Sequence, residues 1–215
     1  MKLLPLALNV ENRKCLVVGG GQVAARKARV LLDCGARVHV VAPNLCDDFH
    51  ELLSHAQYSP RLFQSDDCND CTLVFACTGN RETNSQIARA AEQRNLWCNI
   101  ADDAGASTFH LAAAVRRGEI CVGITTSGAS PALSKHLKGA IENCIGDEYA
   151  QLLELMSARR EVLKSEIENQ NARAEFWREV LNSEVLALLR NGERERAEHL
   201  VDELVQRRQP MAGNR

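Results

Sequence analysis

Apolar residues fall into two periods along the first hundred residues. Apolar runs of strand length occur at 15–18 (CLVV), 37–42 (RVHVVA), 72–78 (TLVFACT) and 96–102 (LWCNIAD), and 58–63 (YSPRLF) reads as a further short strand. Between them, apolar positions recur every three or four residues: Val23, Ala24, Ala28, Leu31 and Leu32; then Phe49, Leu52 and Leu53 within 45–56; then Ile87, Ala90 and Ala91 within 83–95. Runs of the first kind predict buried strands and those of the second amphipathic helices, the first helix ending at Cys34-Gly35. Strands alternating with helices predict an α/β fold built on an open, Rossmann-type parallel sheet. Such a sheet binds ligands beyond the carboxyl ends of its strands, which singles out 19–23, 42–44, 78–80 and 99–103.

The rhythm changes after Asp103. Segments 109–116 and 119–126 read as adjacent strands around Arg117-Gly118, with no crossover helix between them. A helix is expected to open at Ser130-Pro131, with Leu133, Leu137, Ala140, Ile141 and Cys144 on its buried face. From 148 to 208 there is one glycine, Gly192, and no proline, so the segment reads as helical. Its apolar stripe of Leu152, Leu155, Met156, Val162, Leu163 and Ile167 needs a partner, either the preceding unit or a second subunit. Residues 209–215 read as a frayed tail. The expected organisation is a dinucleotide-binding domain over 1–112, a small α+β dimerisation or substrate unit over 113–147, and a helical C-terminal domain over 148–215.

The first strand runs directly into GGGQVAARKA (19–28) and a helix. In the pattern G-x-G-x-x-A, Gly19 would make the tight turn, Gly21 would let the backbone approach a pyrophosphate, and Ala24 would let helix and strand pack closely. The amides of Gly20, Gly21, Gln22 and Val23 at the positive end of the helix would hold the phosphates. The acidic residue usually found about 20 positions further on is absent, since the second strand ends Val41-Ala42-Pro43-Asn44. Backbone groups or Asn44 are left to hold the ribose. No lysine or arginine between Val38 and Pro60 can meet a 2′-phosphate, which favours NAD over NADP.

Charge and length narrow the class without changing this picture. A net charge of −2 over 215 residues argues against a nucleic-acid partner. The absence of a long apolar stretch and of a signal-peptide layout at 1–10 argues for a cytoplasmic protein away from membranes. Most of the nine cysteines lie in expected strands and helices, where a reduced thiol acts as a small hydrophobe. Cys68 and Cys71 form one C-x-x-C with no second pair at zinc spacing, so no resident metal is expected.

Candidate chemistry gathers at two places. Asp102 closes the fourth long run at the crevice, where it would act as acid or base, with Asp103 as the alternative. A turn-capping role is the plainer reading of either residue. Thr78 and Gly79 end the third run at the same crevice, and Asn99 lies just before Asp102. The loop TTSGAS (125–130), with Thr126 and Ser127, gathers hydroxyls and amides suited to an anion. Lys135, with Arg116, Arg117, His136 and Lys138, makes 116–138 locally basic, which suits a polycarboxylate or simply a solvated surface. His110 and Trp177 read as structural residues.

GGGQVAARKA at 19–28, FACTGNRETN at 75–84, CNIADD at 98–103, GITTSGASPALSKHLK at 123–138 and EFWREVL at 175–181 together resemble the precorrin-2 dehydrogenase/sirohydrochlorin ferrochelatase family, including the N-terminal half of siroheme synthase. The resemblance implies NAD-dependent oxidation of precorrin-2, a tetrapyrrole with eight carboxylates, to sirohydrochlorin, followed in many members by insertion of Fe²⁺. It implies that Asp102 serves both reactions, that Gln22, Val23, Pro43 and Asn44 touch NAD, and that the chain is a homodimer through its second unit. A different class, a sensor that binds NAD without turnover, is the other reading of the same sequence.

Overall fold

The structure, a computed structural model, describes residues 2–167 and 169–207. The expected tail at 209–215 lies outside the described residues. Contacts divide the chain into two units. The first runs to Ala112 and includes Thr125–Ser130; the second comprises Ala113–Ile124 and the residues from Pro131 onward.

In the first unit the chain runs β1 (Lys14–Val18), α1 (Gln22–Asp33), β2 (Arg37–Val41), β3 (Gln57–Ser59), β4 (Leu73–Ala76), α2 (Arg81–Glu92) and β5 (Trp97–Ile100). The five strands form one parallel sheet in the order β3-β2-β1-β4-β5, with Val18 level with Val41 and with Ala76. Successive residues of β1 serve opposite faces. Cys15 and Val17 pack with Ala24, Ala28, Leu31 and Phe75 on one side, and Leu16 and Val18 with Val74, Ile87 and Ala91 on the other. Because both faces are covered, these strands read as unbroken apolar runs. The strand order reverses between β1 and β4, which opens a crevice there above the carboxyl ends.

Three expected elements differ. Segment 45–56 forms only a short 3₁₀ helix, Asp47–Phe49, followed by turns closed by Leu52 N–H to the Phe49 carbonyl and His55 N–H to the Leu52 carbonyl. Phe49 and Leu52 are buried while Leu53 is exposed. Two anchors suffice here, and Asp47, Asp48, His50 and Ser54 are weak formers of a longer helix. The strand expected at 58–63 is the three-residue β3, because Pro60 has no N–H to continue a ladder. The strand expected from Phe109 starts only at Ala113.

The residues ahead of it run antiparallel beside β5 and satisfy its outer edge. Thr108 donates its N–H to the Cys98 carbonyl (2.9 Å), and the Thr108 hydroxyl accepts from Cys98 N–H (2.7 Å). The Ser107 hydroxyl accepts from Ile100 N–H (2.9 Å) and donates to the Asp103 carbonyl (2.8 Å).

The second unit holds the antiparallel pair β6 (Ala113–Arg117) and β7 (Ile120–Ile124), turning at Gly118 with φ +54°. After it come α3 (Pro131–Cys144), α4 (Asp147–Ala158), α5 (Arg160–Glu166), α6 (Gln170–Asn182), α7 (Val185–Arg190) and α8 (Arg194–Gln206). Leu152, Leu155, Leu163, Phe176, Val180, Leu189 and Val201 form its core. Val162 stays outside it. Trp177 packs edge-on against Phe176 with ring centres 4.8 Å apart, a packing anchor as expected. Arg190 donates to buried Glu148 at 2.7 Å, and this bond holds the Glu148 carboxyl below its ordinary range. Helix α3 corrects one expectation. None of its residues is buried, and Leu133 and Leu137 remain 48% and 38% exposed, so the described residues do not cover the apolar face.

Candidate functional site

The crevice in the first unit is built by the turn between β1 and α1. Gly19 has φ +128°, and its N–H donates to the Val41 carbonyl at 3.0 Å. A Cβ on Gly19 would overlap the Cys77 carbonyl, and one on Gly20 would overlap the Asn44 carbonyl. Gly21 differs: nothing lies within 4 Å of where its Cβ would be. The first two glycines are therefore demanded by the packing of β1 against the ends of β2 and β4. The third leaves open space at the start of α1, whose N-cap is Gly21 itself with no side-chain cap. The first amides of that helix face outward without internal partners, and Gln22 and Val23 are exposed there. Ala24 is fully buried and seats the helix on the sheet. This cradle fits the pyrophosphate of a dinucleotide.

Pro43 and Asn44 stand exposed at the end of β2. The Tyr58 hydroxyl donates to the Ala42 carbonyl at 3.1 Å and braces that end, a role no sequence pattern announced. Thr78 and Gly79 follow β4 on the other side of the glycine turn.

Asp102 lies two residues past β5, in the turn that follows it. Its Oδ1 accepts a hydrogen bond from Asn84 Nδ2 at 2.9 Å. Asn84 sits in the first turn of α2, 1% exposed. Its Oδ1 accepts from the Thr78 hydroxyl (2.7 Å) and the Thr78 N–H (3.1 Å), and its Nδ2 also donates to the Thr78 carbonyl (3.1 Å). The sequence reading missed Asn84. The available signal was a polar residue three positions before inward-facing Ile87 on the same helix face. A cavity of about 240 Å³ adjoins this group, walled by Ala88, Ile100 and Ala106 and rimmed by Arg81, Arg89 and the two aspartates. Asp103 accepts from Ala106 N–H at 3.0 Å and meets Arg81 at 3.9 Å, so it is the more committed of the pair to its own turn.

Asn99 is placed differently from the open end of the crevice. It is buried, accepts from Lys27 Nζ at 2.8 Å and donates to the Phe109 carbonyl at 3.0 Å. Lys27 also lies over the Phe75 ring, 5.3 Å from its centre, and burial pushes its ammonium below the ordinary lysine range. The loop Thr125–Ser130 belongs to this unit, and a Cβ on Gly128 would come 3.3 Å from Ala104 in the turn that carries Asp102. Ser127 holds a left-handed φ of 53°, and the Thr126 hydroxyl bonds Ser130 across the turn (3.0 Å). Lys135 stands exposed on α3 in the second unit. His110 lies in the loop before β6 rather than in a strand.

The cysteines are free thiols. Burial pushes Cys15, Cys68 and Cys77 up to about 11 and Cys98 up to about 12, so these side chains stay protonated and act as apolar filling. Cys71 donates its thiol to the Asp67 carbonyl at 3.3 Å. No described helix is long and apolar enough to cross a membrane.

Comparison with known proteins agrees with this geometry. A family model described as "Putative NAD(P)-binding" matches residues 6–113, and one described as "Sirohaem synthase dimerisation region" matches 148–205. Siroheme synthase of Tolumonas auensis is 36% identical over 88% of this chain and 40% of its own length. That of Chromobacterium violaceum is 33% identical over 90% of the chain and 42% of its length. The chain thus spans about two fifths of the curated relatives it matches. Among solved structures, SirC, precorrin-2 dehydrogenase, has the same fold, with a TM-score of 0.74 at 21% identity over 94% of this chain and 100% of that one. The chain belongs to the family of the siroheme synthase N-terminal region, an NAD(P)-binding domain followed by the sirohaem synthase dimerisation region.

Proposed function

We propose that this chain is an NAD-dependent precorrin-2 dehydrogenase that forms sirohydrochlorin in siroheme biosynthesis. The observation that carries the reading is Asp102, held by Asn84 at the same end of the sheet as an uncapped glycine cradle. When bound, NAD supplies a hydride acceptor. The chain's residues do the rest. The amides following Gly19, Gly20 and Gly21, with Gln22 and Val23, would hold the pyrophosphate, and Pro43, Asn44, Thr78 and Gly79 would hold the rest of the dinucleotide. Asp102 takes the proton that leaves the macrocycle as the hydride departs, which completes the two-electron oxidation. Thr126 and Ser127 of the first unit are assigned to the substrate's carboxylates; Lys135, an exposed cation of the second unit, is proposed separately as a carboxylate contact.

Insertion of Fe²⁺ into sirohydrochlorin belongs to the same reading, with iron as substrate and Asp102 accepting the pyrrole protons it displaces. The homodimer is supported by the dimerisation-region match and by the uncovered apolar face of α3. The working assembly is assigned to the cytoplasm, with no membrane or nucleic-acid partner. The segment 113–147, whose residues 125–130 group with the first unit, is taken as the dimerisation or substrate part, and the helices after it, which carry the dimerisation-region match, as a C-terminal domain.

Purified chain incubated with NAD and precorrin-2 tests the function, first alone and then with Fe²⁺. NADH and the sirohydrochlorin spectrum should appear in the first arm and the sirohaem spectrum in the second. Binding of NAD with no spectral change would instead identify a sensor. Asp102→Asn, which keeps the shape and removes the base, should lower kcat by roughly 10²–10⁴ while NAD still binds. Near-normal turnover in that variant removes Asp102 from the mechanism.

A further inference from the structure

We infer that Asn84 is the positioning residue for Asp102: it fixes which carboxylate oxygen receives the substrate proton. The inference rests on the dehydrogenase reading for its meaning, but the hydrogen-bond geometry stands by itself.

The four polar contacts of the Asn84 amide admit only one orientation. Its Oδ1 faces the Thr78 N–H and the Thr78 hydroxyl, whose single hydrogen also has the Asn80 carbonyl within reach at 3.0 Å, while its Nδ2 faces two acceptors, the Thr78 carbonyl and Asp102 Oδ1. Rotating the amide by half a turn would set oxygen against both acceptors and nitrogen against the Thr78 N–H. A side chain 1% exposed has no water with which to make up that loss. The end of Asn84 that meets Asp102 is therefore always a donor.

A donor at Oδ1 occupies that oxygen, because a proton placed there would meet the amide hydrogen. It leaves Oδ2, which has no hydrogen-bond partner among the described residues, as the oxygen open to receive the substrate proton. The other charges around Asp102 are Asp103 beside it, Arg81 and Arg89 at the cavity rim, and the Cys77 thiol, which Asp102 helps to keep protonated. None of these donates a hydrogen bond to it. The chain Thr78–Asn84–Asp102 also joins the end of β4 to the turn after β5. The same amide therefore links a residue assigned to the cofactor with the base.

The test compares Asn84→Ala, Asp102→Asn and the double variant in the full chain, measured with NAD and precorrin-2. Asn84→Ala should lower kcat about tenfold or more while the KM for precorrin-2 changes little. In the Asp102→Asn background the same change should have no further effect, because the group it positions is gone. Unchanged kcat in a folded Asn84→Ala protein overturns the inference, as do a loss confined to KM and losses that multiply in the double variant.

A second measurement covers poor folding of Asn84→Ala. In the wild-type chain, the Asn84 side-chain amide resonances should shift as Asp102 titrates and become insensitive to pH in Asp102→Asn. Amide resonances that ignore pH in the wild type overturn the coupling. If the wild type makes no NADH, the dehydrogenase reading fails, and the amide titration still decides whether Asn84 governs Asp102.

Discussion

Three adjacent glycines serve different masters in this chain. At Gly20 a side chain meets the Asn44 backbone, so Gly20→Ala should destabilise the first unit by roughly 1–3 kcal/mol or more, read as a fall in Tm. At Gly21 the protein leaves room, so Gly21→Ala should fold with near-normal Tm yet lose about tenfold or more in NAD affinity by titration. The motif was legible in the sequence, but this division was not. Pattern reasoning gave the tight turn to Gly19 and a phosphate-holding amide to Gly20, but no packing role to Gly20, because the obstructing carbonyl belongs to Asn44, brought there only by the pairing of β1 with β2. Asn84 escaped for a related reason. Its partners Thr78 and Asp102 lie 6 and 18 residues away, and only the placement of α2 beside β4 and β5 unites them.

At the scale of elements, long apolar runs and the helices after the glycines and after Thr78 were readable because each buries a continuous face. Short connections were not, because side-chain partners rather than period decide them. The segment between β3 and β4 shows this. Arg61 forks onto Asp67 at 2.9 and 2.5 Å, and Asp67 also accepts from Gln64 N–H at 2.8 Å. Burial alone would push the Asp67 carboxyl up, but the Arg61 and Gln64 bonds hold it below its ordinary value. A carboxyl depressed in the folded state stabilises above its unfolded value of about 3.9, and that contribution is lost as pH falls through the lower folded value. Asp67→Asn should therefore lower Tm at neutral pH and flatten its decline below about pH 4. An unchanged acid limb in thermal melts followed by circular dichroism would remove Asp67 from the account.

For the whole molecule, helix α3 shows what one chain's sequence can and cannot convey. Leu133 and Leu137 have the spacing of a buried face, but the described residues leave both exposed. With a second copy as the cover, the wild type should sediment as a dimer, and Leu133→Lys with Leu137→Lys should give a monomer that still binds NAD. A double variant that remains dimeric would move the interface elsewhere. The outer border of β5 bears on association of another kind. An open parallel sheet ends in unsatisfied amides that can recruit a strand from a neighbouring molecule, and here Ser107 and Thr108 occupy them with hydroxyls. Ser107→Ala with Thr108→Val would uncover that border while changing little bulk, and light scattering on warming should then show clumping well before the wild type. Two small alcohols would in that case guard the solubility of a protein whose Asp102–Asp103 turn they also help to close.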